Sequence, residues 1–293
     1  MADLRTMNEN KKSKTDSMSR VIMMNPIIRR MEAKTKNDVA SENCATYKGI
    51  GLKTLFFLIL TLGGAGLFFL LHHILVDNVS ASQVIAFSTD VFKVRTSLPE
   101  IGILCAVLFV DLVFPFIAWF VKGAVPIVGT IYSVAQGMLV GFITAALGAQ
   151  YGWLAVLALV LTFAIVGTML FLYTSRIVRV TATFRRVMFT IFGSLIIGGI
   201  LLFIMYFIPG LNIVAASISS ILHNPVVSII TSIIFIILAS LFLLADFNAI
   251  EECVERKMDK SYEWMASFGL AYTIIYLYFK ILNLLITIFA RND

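Results

Sequence analysis

Charged side chains are scarce in this 293-residue chain: they make up 14% of it, whereas a soluble domain carries about a quarter. The sequence also has just three cysteines, Cys44, Cys105 and Cys253, which lie far apart and form no CxxC motif. Their number and spacing exclude a disulfide framework and a cysteine-based zinc site. No HExxH, GxSxG, phosphate-binding loop or dinucleotide fingerprint is present, so the sequence indicates neither an enzyme nor a cofactor.

Hydrophobic residues, in contrast, make up 59% of the chain, and its mean hydropathy is +0.94. The formal net charge is +6, from 23 Lys and Arg against 17 Asp and Glu. In a polar protein this excess would suit a nucleic-acid binder, but in so apolar a chain it is more typical of loops that orient a membrane protein. We therefore expect an integral membrane protein in contact with the lipid bilayer, and no nucleic-acid partner.

Seven apolar runs are close to or longer than the roughly 20 residues that a helix needs to cross a bilayer. They are too long and too continuously apolar for the alternating strands of a membrane barrel. The sequence therefore predicts an all-α polytopic membrane protein, whose predicted spans we number 1 to 7. The spans are Leu52–Val76, Ile101–Val121, Pro126–Gly148, Gly152–Thr174, Val187–Ile208, Val226–Asp246 and Ser267–Ala290.

Residues 1–51 differ from the rest, because they hold ten Lys or Arg, six Asp or Glu and few large apolar side chains. We expect a basic, mostly disordered cytosolic tail, followed by a seven-helix transmembrane domain over 52–290. An alternative for part of the tail is a short amphipathic helix around Val21–Met31 that rests on anionic lipid. No apolar segment with a small-residue cleavage site follows the first charges, so we expect no signal peptide.

Lys and Arg are distributed unevenly between the two sides of the predicted spans. With the N-terminus inside, 18 of the 23 fall in inside segments, three fall outside and two lie within spans. This bias predicts a cytosolic N-terminus and an outside C-terminus, which disfavours a G-protein-coupled receptor. The lack of an endoplasmic-reticulum retrieval signal fits a bacterial plasma membrane.

Small residues recur at four-residue spacing along span 3, which predicts that one face of this helix packs closely against a neighbouring backbone. The residues are Gly129, Ser133, Gly137, Gly141 and Ala145.

Ionisable side chains within spans are costly in a bilayer and therefore point to function. Asp111 lies near the middle of span 2, four residues before Pro115, whose missing N–H leaves the Asp111 carbonyl without its helical partner. Asp111 is either part of a water-accessible ion pathway or a protonated acid hydrogen-bonded to another helix. Asp246, at the end of span 6, is either part of a buried ionic cluster or an interfacial carboxylate at a helix end.

Lys280 lies within span 7, where an isolated ammonium group is unstable. It must pair with a carboxylate, lose its proton or extend to the membrane interface. About 21 Å of helix separate it from Ala266, so the cytosolic interface is hard to reach. We therefore predict a buried ionic cluster that joins Lys280 to Asp246, Asp111 or both. Pairing with Asp246 requires that its helix continue beyond Asn248.

Other polar residues in the spans give weaker signals. His72 and His73, at the outer end of span 1, have no acid or cysteine at ligand spacing, so we expect interfacial side chains and no metal site. Gln136 in span 3 is expected to form a hydrogen bond across helices.

Several short segments have an order and spacing typical of one family. They are Asn25–Arg30, Tyr132–Gly137, Ile177–Thr181, Phe184–Arg186, Leu244–Glu251, Lys260–Leu270 and Tyr276–Leu285. Together they resemble the Bax inhibitor-1 family, most closely its bacterial Bax inhibitor-1-like branch, which is related to the transmembrane Bax inhibitor motif proteins. The resemblance covers nearly the whole chain from Asn25 onward.

This resemblance implies a seven-helix fold in which span 7 is central and is wrapped by two layers of three helices. It also implies a proton-sensitive calcium leak gated by a pair of aspartates on spans 6 and 7, with calcium as a permeant ion rather than a cofactor. Asp246 matches the span 6 aspartate, while Lys280 stands where the family has an acid on span 7. Gln136 stands where a glutamate is usual in span 3.

These departures change the electrostatics that the family pattern implies. Two neighbouring carboxylates share a proton and admit a divalent cation when both are ionised, whereas a carboxylate beside an ammonium forms an ion pair that repels calcium. We therefore expect a leak of calcium ions or protons with an altered gate. The alternative is a non-conducting regulatory protein that binds other membrane proteins or membrane proteases through its tail and the charged loop Asn248–Tyr262.

Overall fold

The computed structural model describes residues 44–77, 84–88, 93–178, 180–222 and 224–290. Most of the basic tail, including the stretch around Val21–Met31, lies outside the described residues. Within them, seven of the eight α-helices are long and apolar enough to cross a bilayer, which confirms the all-α class and the seven spans. The helices are α1 (Tyr47–His72), α2 (Leu98–Phe120), α3 (Val125–Tyr151), α4 (Trp153–Thr174), α5 (Ala182–Phe207), α6 (Leu211–Leu222), α7 (Pro225–Glu255) and α8 (Ser261–Phe289).

Spans 1 to 5 correspond to α1–α5, and spans 6 and 7 to α7 and α8, but several helices extend beyond the predicted ends. The prediction that span 6 stops at Asp246 is wrong, because α7 continues to Glu255. Hydropathy detects the stretch that suits lipid, whereas this extension is held by a helical face of Phe247, Ile250 and Cys253 that is buried in the protein.

Two elements that the spans did not include lie in the connections. Strands β1 (Val84–Ser88) and β2 (Lys93–Ser97) form an antiparallel hairpin between α1 and α2. The short apolar helix α6 follows Gly210, whose φ of 90° favours glycine, and connects α5 to α7. Both elements are too short to register in a search for membrane-length runs.

Helix α8 is the central helix, as the sequence resemblance implied. It packs against α1 and α3 on one side and against α4 and α7 on the other, and it is the most buried of the seven spans. Apolar side chains on several of its faces are buried, among them Ala271, Leu277 and Leu282. A helix buried on all sides can carry polar residues only where a neighbouring helix supplies a partner or where function requires them.

The implied wrapping by two layers of three helices is only partly present. Helices α1, α2 and α3 pack together on one side of α8, but on the other side only α4 and α7 contact it extensively. Helix α5 packs mainly against α6, and an ion pair of 2.8 Å between Arg185 Nη1 and Glu252 Oε2 connects it to α7. Most of its side chains therefore face the surroundings of the bundle, which suits a helix in contact with lipid.

The tightest helix contact joins α1 and α3 and depends on small residues. A Cβ added to Gly137 would lie 2.8 Å from the Gly64 Cα and would collide with the Thr61 carbonyl oxygen. Only glycine lets two backbones approach this closely. The predicted packing residues of span 3 share this buried side of α3: Gly129, Ser133, Gly137 and Gly141.

A second tight contact joins the beginnings of α1 and α8, at the end of the bundle that we call the tail end. There the Glu263 carboxylate, which is 1% exposed, forms an ion pair with Lys53 Nζ. Its Oε1 atom accepts hydrogen bonds from the Thr46 backbone N–H at 2.9 Å and from the Thr46 hydroxyl at 3.1 Å. One buried carboxylate therefore fastens the first turn of α8 to the N-cap of α1.

The segment before α1 strengthens this contact. The Ala45 N–H donates to the Met258 carbonyl at 2.8 Å, and Cys44 pairs with Asp259 in an antiparallel bridge. In the same loop the Ser261 N–H donates to Asp259 Oδ1 at 2.8 Å and lowers the pKa of Asp259. The chain entering α1 is thus attached to the loop between α7 and α8.

Replacing Lys53 by Met should destabilise the fold strongly. The change keeps the aliphatic stem but leaves the Glu263 carboxylate buried without a cation, which costs about 3 kcal/mol of unfolding free energy or more. The measurement is the unfolding of the purified protein in detergent micelles, followed by circular dichroism. Lys48→Met, at an exposed position in the first turn of the same helix, is the matched control and should change the unfolding free energy by less than about 0.5 kcal/mol. Equal stability of the two variants would contradict the assigned role of the ion pair.

Candidate functional site

Two successive residues of α8 face the carboxylates of Asp111 and Asp246. Tyr272 lies near Asp111 of α2, and the Thr273 side chain lies beside Asp246 of α7, while its hydroxyl group donates to the Gly269 carbonyl at 3.2 Å. Successive residues of a helix point about 100° apart, so the two carboxylates lie on different faces of α8. Helix α8 therefore separates two acidic positions.

The two carboxylates also lie at the same level of the bundle. Asp111 and Asp246 are each nine residues before the end of their helices, and α2 and α7 both run toward the tail end. At 1.5 Å per residue, each aspartate is about 14 Å from that end. The interpretation of Asp246 as an interfacial carboxylate at a helix end rested on a helix boundary that was wrong.

Asp246 has one carboxylate oxygen that is sealed and unsatisfied. Its Oδ2 atom has no hydrogen-bond partner among the described residues. Thr273 supplies a hydroxyl group beside the carboxyl group but no charge. A carboxylate in this setting needs a proton or a bound cation to be stable.

Asp111 is sealed more completely, because neither of its oxygens has a hydrogen-bond partner within the part of the chain that the structure describes. Gln136 of α3 is the polar side chain beside it, but its amide does not reach hydrogen-bond geometry with either oxygen. One interpretation of the sequence required a hydrogen bond between Asp111 and a neighbouring helix. This hydrogen bond is not formed, although Gln136 lies nearby.

Lys280 does not form the predicted ionic cluster. No carboxylate oxygen of the described residues lies within 4.0 Å of its ammonium group, which instead lies 4.5 Å from the ring centre of Phe235 and 5.3 Å from that of Tyr276. Lys280 is seven residues beyond Thr273, so it lies about 10 Å farther from the tail end than the position that faces Asp246. The pairing with Asp246 fails on this distance, although α7 does continue beyond Asn248.

Polar contacts between α7 and α8 continue from Lys280 to the opposite end of the bundle, which we call the far end. The Asn283 amide nitrogen donates to Ser232 Oγ at 3.0 Å, and Ser228 Oγ lies 3.5 Å from Thr287 Oγ1. Sequence reasoning missed this seam of hydroxyl and amide groups. Its signal was the four-residue spacing of polar residues in both spans, Ser228 with Ser232 and Asn283 with Thr287.

A histidine–glutamate pair at the far end was also missed. His72 Nδ1 lies 2.7 Å from Glu100 Oε1, which connects α1 to the first turn of α2. The Glu100 side chain is 3% exposed. Among the residues that the structure describes, no group of three His, Cys, Asp or Glu side chains could hold a metal ion.

A protein-family model described as Bax inhibitor 1 like matches residues 25–290 of the chain. This match spans every helix of the structure and begins in the basic tail. No curated protein and no solved structure matches the chain.

Replacing Lys280 by Met tests whether the lysine has an ionic partner. Without a paired carboxylate, the loss of a partly buried ammonium removes its desolvation cost and about 1 kcal/mol of cation–π interaction. We therefore expect a change of less than about 1 kcal/mol in unfolding free energy, in contrast to the large loss in Lys53→Met. The measurement is the same detergent unfolding, and a loss of about 3 kcal/mol would show that an ion pair exists after all.

Proposed function

The chain belongs to the Bax inhibitor 1 like family, and on that premise we propose that this multipass membrane protein is a pH-sensitive cation leak with its gate at Asp246. One observation above all supports the proposal: a sealed, unsatisfied carboxylate oxygen lies inside a bundle of membrane-spanning helices. Burying such a group within the membrane costs free energy, which is typical of residues with a functional role. Ionised, it attracts a cation, and protonated, it does not, so a leak through this position responds to pH.

The gate differs from the pair of aspartates that the resemblance implies. A second aspartate in contact with Asp246 would have to occupy the α8 position beside it, and the residue there is Thr273. A threonine keeps an oxygen ligand but removes one negative charge. The altered gate therefore binds a divalent cation more weakly and lacks a partner carboxylate with which to share a proton.

Lys280 takes a different role in this proposal from the one that its sequence position predicted. It lies on the far side of Thr273 and presents a cation to the aromatic rings of Phe235 and Tyr276. A fixed positive charge between the far end and Asp246 raises the energy of any cation that approaches from that side. We therefore assign to Lys280 the role of an electrostatic barrier to calcium. This barrier makes the basal leak slow.

We also propose that the tail end faces the cytosol and that the membrane is the plasma membrane of a bacterium. The uneven distribution of Lys and Arg supports the orientation. In that orientation the ion pair of Lys53 with Glu263 is at the cytosolic surface, and the seam between α7 and α8 leads from the outside toward Asp246.

Calcium flux into proteoliposomes tests the gate. Thr273→Asp restores a second carboxylate beside Asp246 and should raise calcium flux at least about tenfold, because a second charge at contact distance contributes several kcal/mol of attraction. Asp246→Asn should remove the pH dependence of the flux, because an amide cannot gain or lose the proton that a carboxyl group does. A dye trapped inside the vesicles reports calcium entry.

Matched variants show whether the position or merely the added charge matters. Thr273→Ser keeps the hydroxyl group and should leave the flux unchanged. Lys280→Asp places a carboxylate two turns away, and its gain in flux over Lys280→Asn, which removes the same positive charge, should be smaller than the gain of Thr273→Asp. A larger effect of Lys280→Asp would restore the sequence-based assignment of Lys280 to the gate and overturn the assignment of Thr273.

The second candidate function is a non-conducting membrane protein that regulates other membrane proteins or membrane proteases. The same two residues favour it, because a threonine in place of an acid and an unpaired lysine nearby both weaken cation binding. The flux experiment separates the candidates. If neither the wild-type protein nor Thr273→Asp conducts calcium or protons, the leak is excluded and the regulatory function stands.

A further inference from the structure

The proposed gate leaves Asp111 without a role, although both of its carboxyl oxygens are sealed. It lies on the other side of α8 from Asp246 and therefore does not share its surroundings. Both of its oxygens are buried and unsatisfied, which is unusual, since nearly all buried polar atoms in proteins have a partner. Each such atom calls for a physical explanation.

The side chains around Asp111 come from α3 and α8. Tyr132 and Gln136 face it from α3, and Tyr272 faces it from α8, with the rings of Tyr132 and Tyr272 stacked 5.8 Å apart. None of them carries a positive charge. Helix α1, which packs on α3, has no titratable residue between Lys53 and His72.

An ionised Asp111 would be unstable in these surroundings. No Lys, Arg or His nitrogen of the described residues lies within 4.0 Å of its carboxyl group, and no hydrogen-bond donor stabilises a negative charge there. Both oxygens are also closed off, so a hydrated cation has no access to them in this conformation. What remains is the neutral acid, in which the charge is removed by a proton.

The neighbouring groups are well suited to accept and pass on that proton. Tyrosine hydroxyl groups and a glutamine amide can each donate and accept hydrogen bonds, so small side-chain rotations would complete a network around a carboxylic acid. In addition, Pro115 leaves the Asp111 backbone carbonyl without its helical N–H donor. That carbonyl is a further acceptor next to the acid.

We propose that Asp111, with Tyr132, Gln136 and Tyr272, forms a proton-binding site within the membrane that is separate from Asp246. The site holds Asp111 as a carboxylic acid at neutral pH. It goes beyond the proposed leak and does not depend on it, because a proton can be bound here whether or not calcium crosses the bundle.

Infrared spectroscopy of the full-length protein in liposomes tests this site directly, because the C=O stretch of a carboxylic acid is distinct from the bands of a carboxylate. The starting protein is Asp246→Asn, which removes the other candidate aspartic acid. The spectrum at neutral pH, minus that of the double variant Asp246→Asn with Asp111→Asn, should show one band of a buried carboxylic acid. Carboxylate bands in its place would overturn the proposal.

Two further measurements keep the test decisive. Labelling all aspartates with carbon-13 in Asp246→Asn should shift the acid band, and this needs no substitution at Asp111; an unshifted band, or none, would contradict the site. Tyr272→Phe removes the hydroxyl group beside Asp111 and should move the frequency of the band. Its matched control is Tyr276→Phe, one turn farther along α8, which should leave the band in place. Equal spectra of the two variants would exclude Tyr272 from the site.

Calcium flux is a separate readout. Loss of all flux with the acid band retained would overturn the proposed leak alone. Flux gated at Asp246 without the band would overturn the proton site alone.

Discussion

The ion pair of Glu263 with Lys53 determines the position of the central helix. Glu263 lies in the first turn of α8, and through its contacts with Lys53 and Thr46 it fixes α8 against the beginning of α1. Every later position of α8 follows from this point at 1.5 Å per residue. The level at which Tyr272 and Thr273 meet the two carboxylates is therefore set about 14 Å away, at the tail end.

A central helix with polar residues on several faces constrains all the helices around it. The polar groups of α8 meet helices on both of its sides: Tyr272 meets α2 and α3, whereas Thr273 and Asn283 meet α7. Sliding α8 by one residue would turn each group by about 100° and break all of these contacts together. The polar residues thus specify one arrangement of a bundle whose apolar contacts alone would allow several.

The number of helices and their class could be predicted because long apolar runs have one stable structure in a bilayer. The helix ends could not, since α7 and α8 continue beyond the hydrophobic stretch on faces buried by tertiary packing. The pairing of Lys280 failed for a more specific reason. Lys280 and Thr273 are seven residues apart, which is nearly two full turns, so they share a face of α8 and differ in depth alone. Helical periodicity cannot distinguish these two positions. The ion pair of Lys53 with Glu263 could not be predicted either, because its residues are 210 positions apart and no local sequence pattern connects them.

The glycine contact between α1 and α3 joins these two helices into one unit. With Gly64 and Gly137 interlocked backbone to backbone, α1 and α3 cannot slide past each other without first separating. Any movement within the bundle therefore carries α1 and α3 together. Because Tyr132 and Gln136 belong to α3, the part of the surroundings of Asp111 that α3 supplies moves with α1 as well.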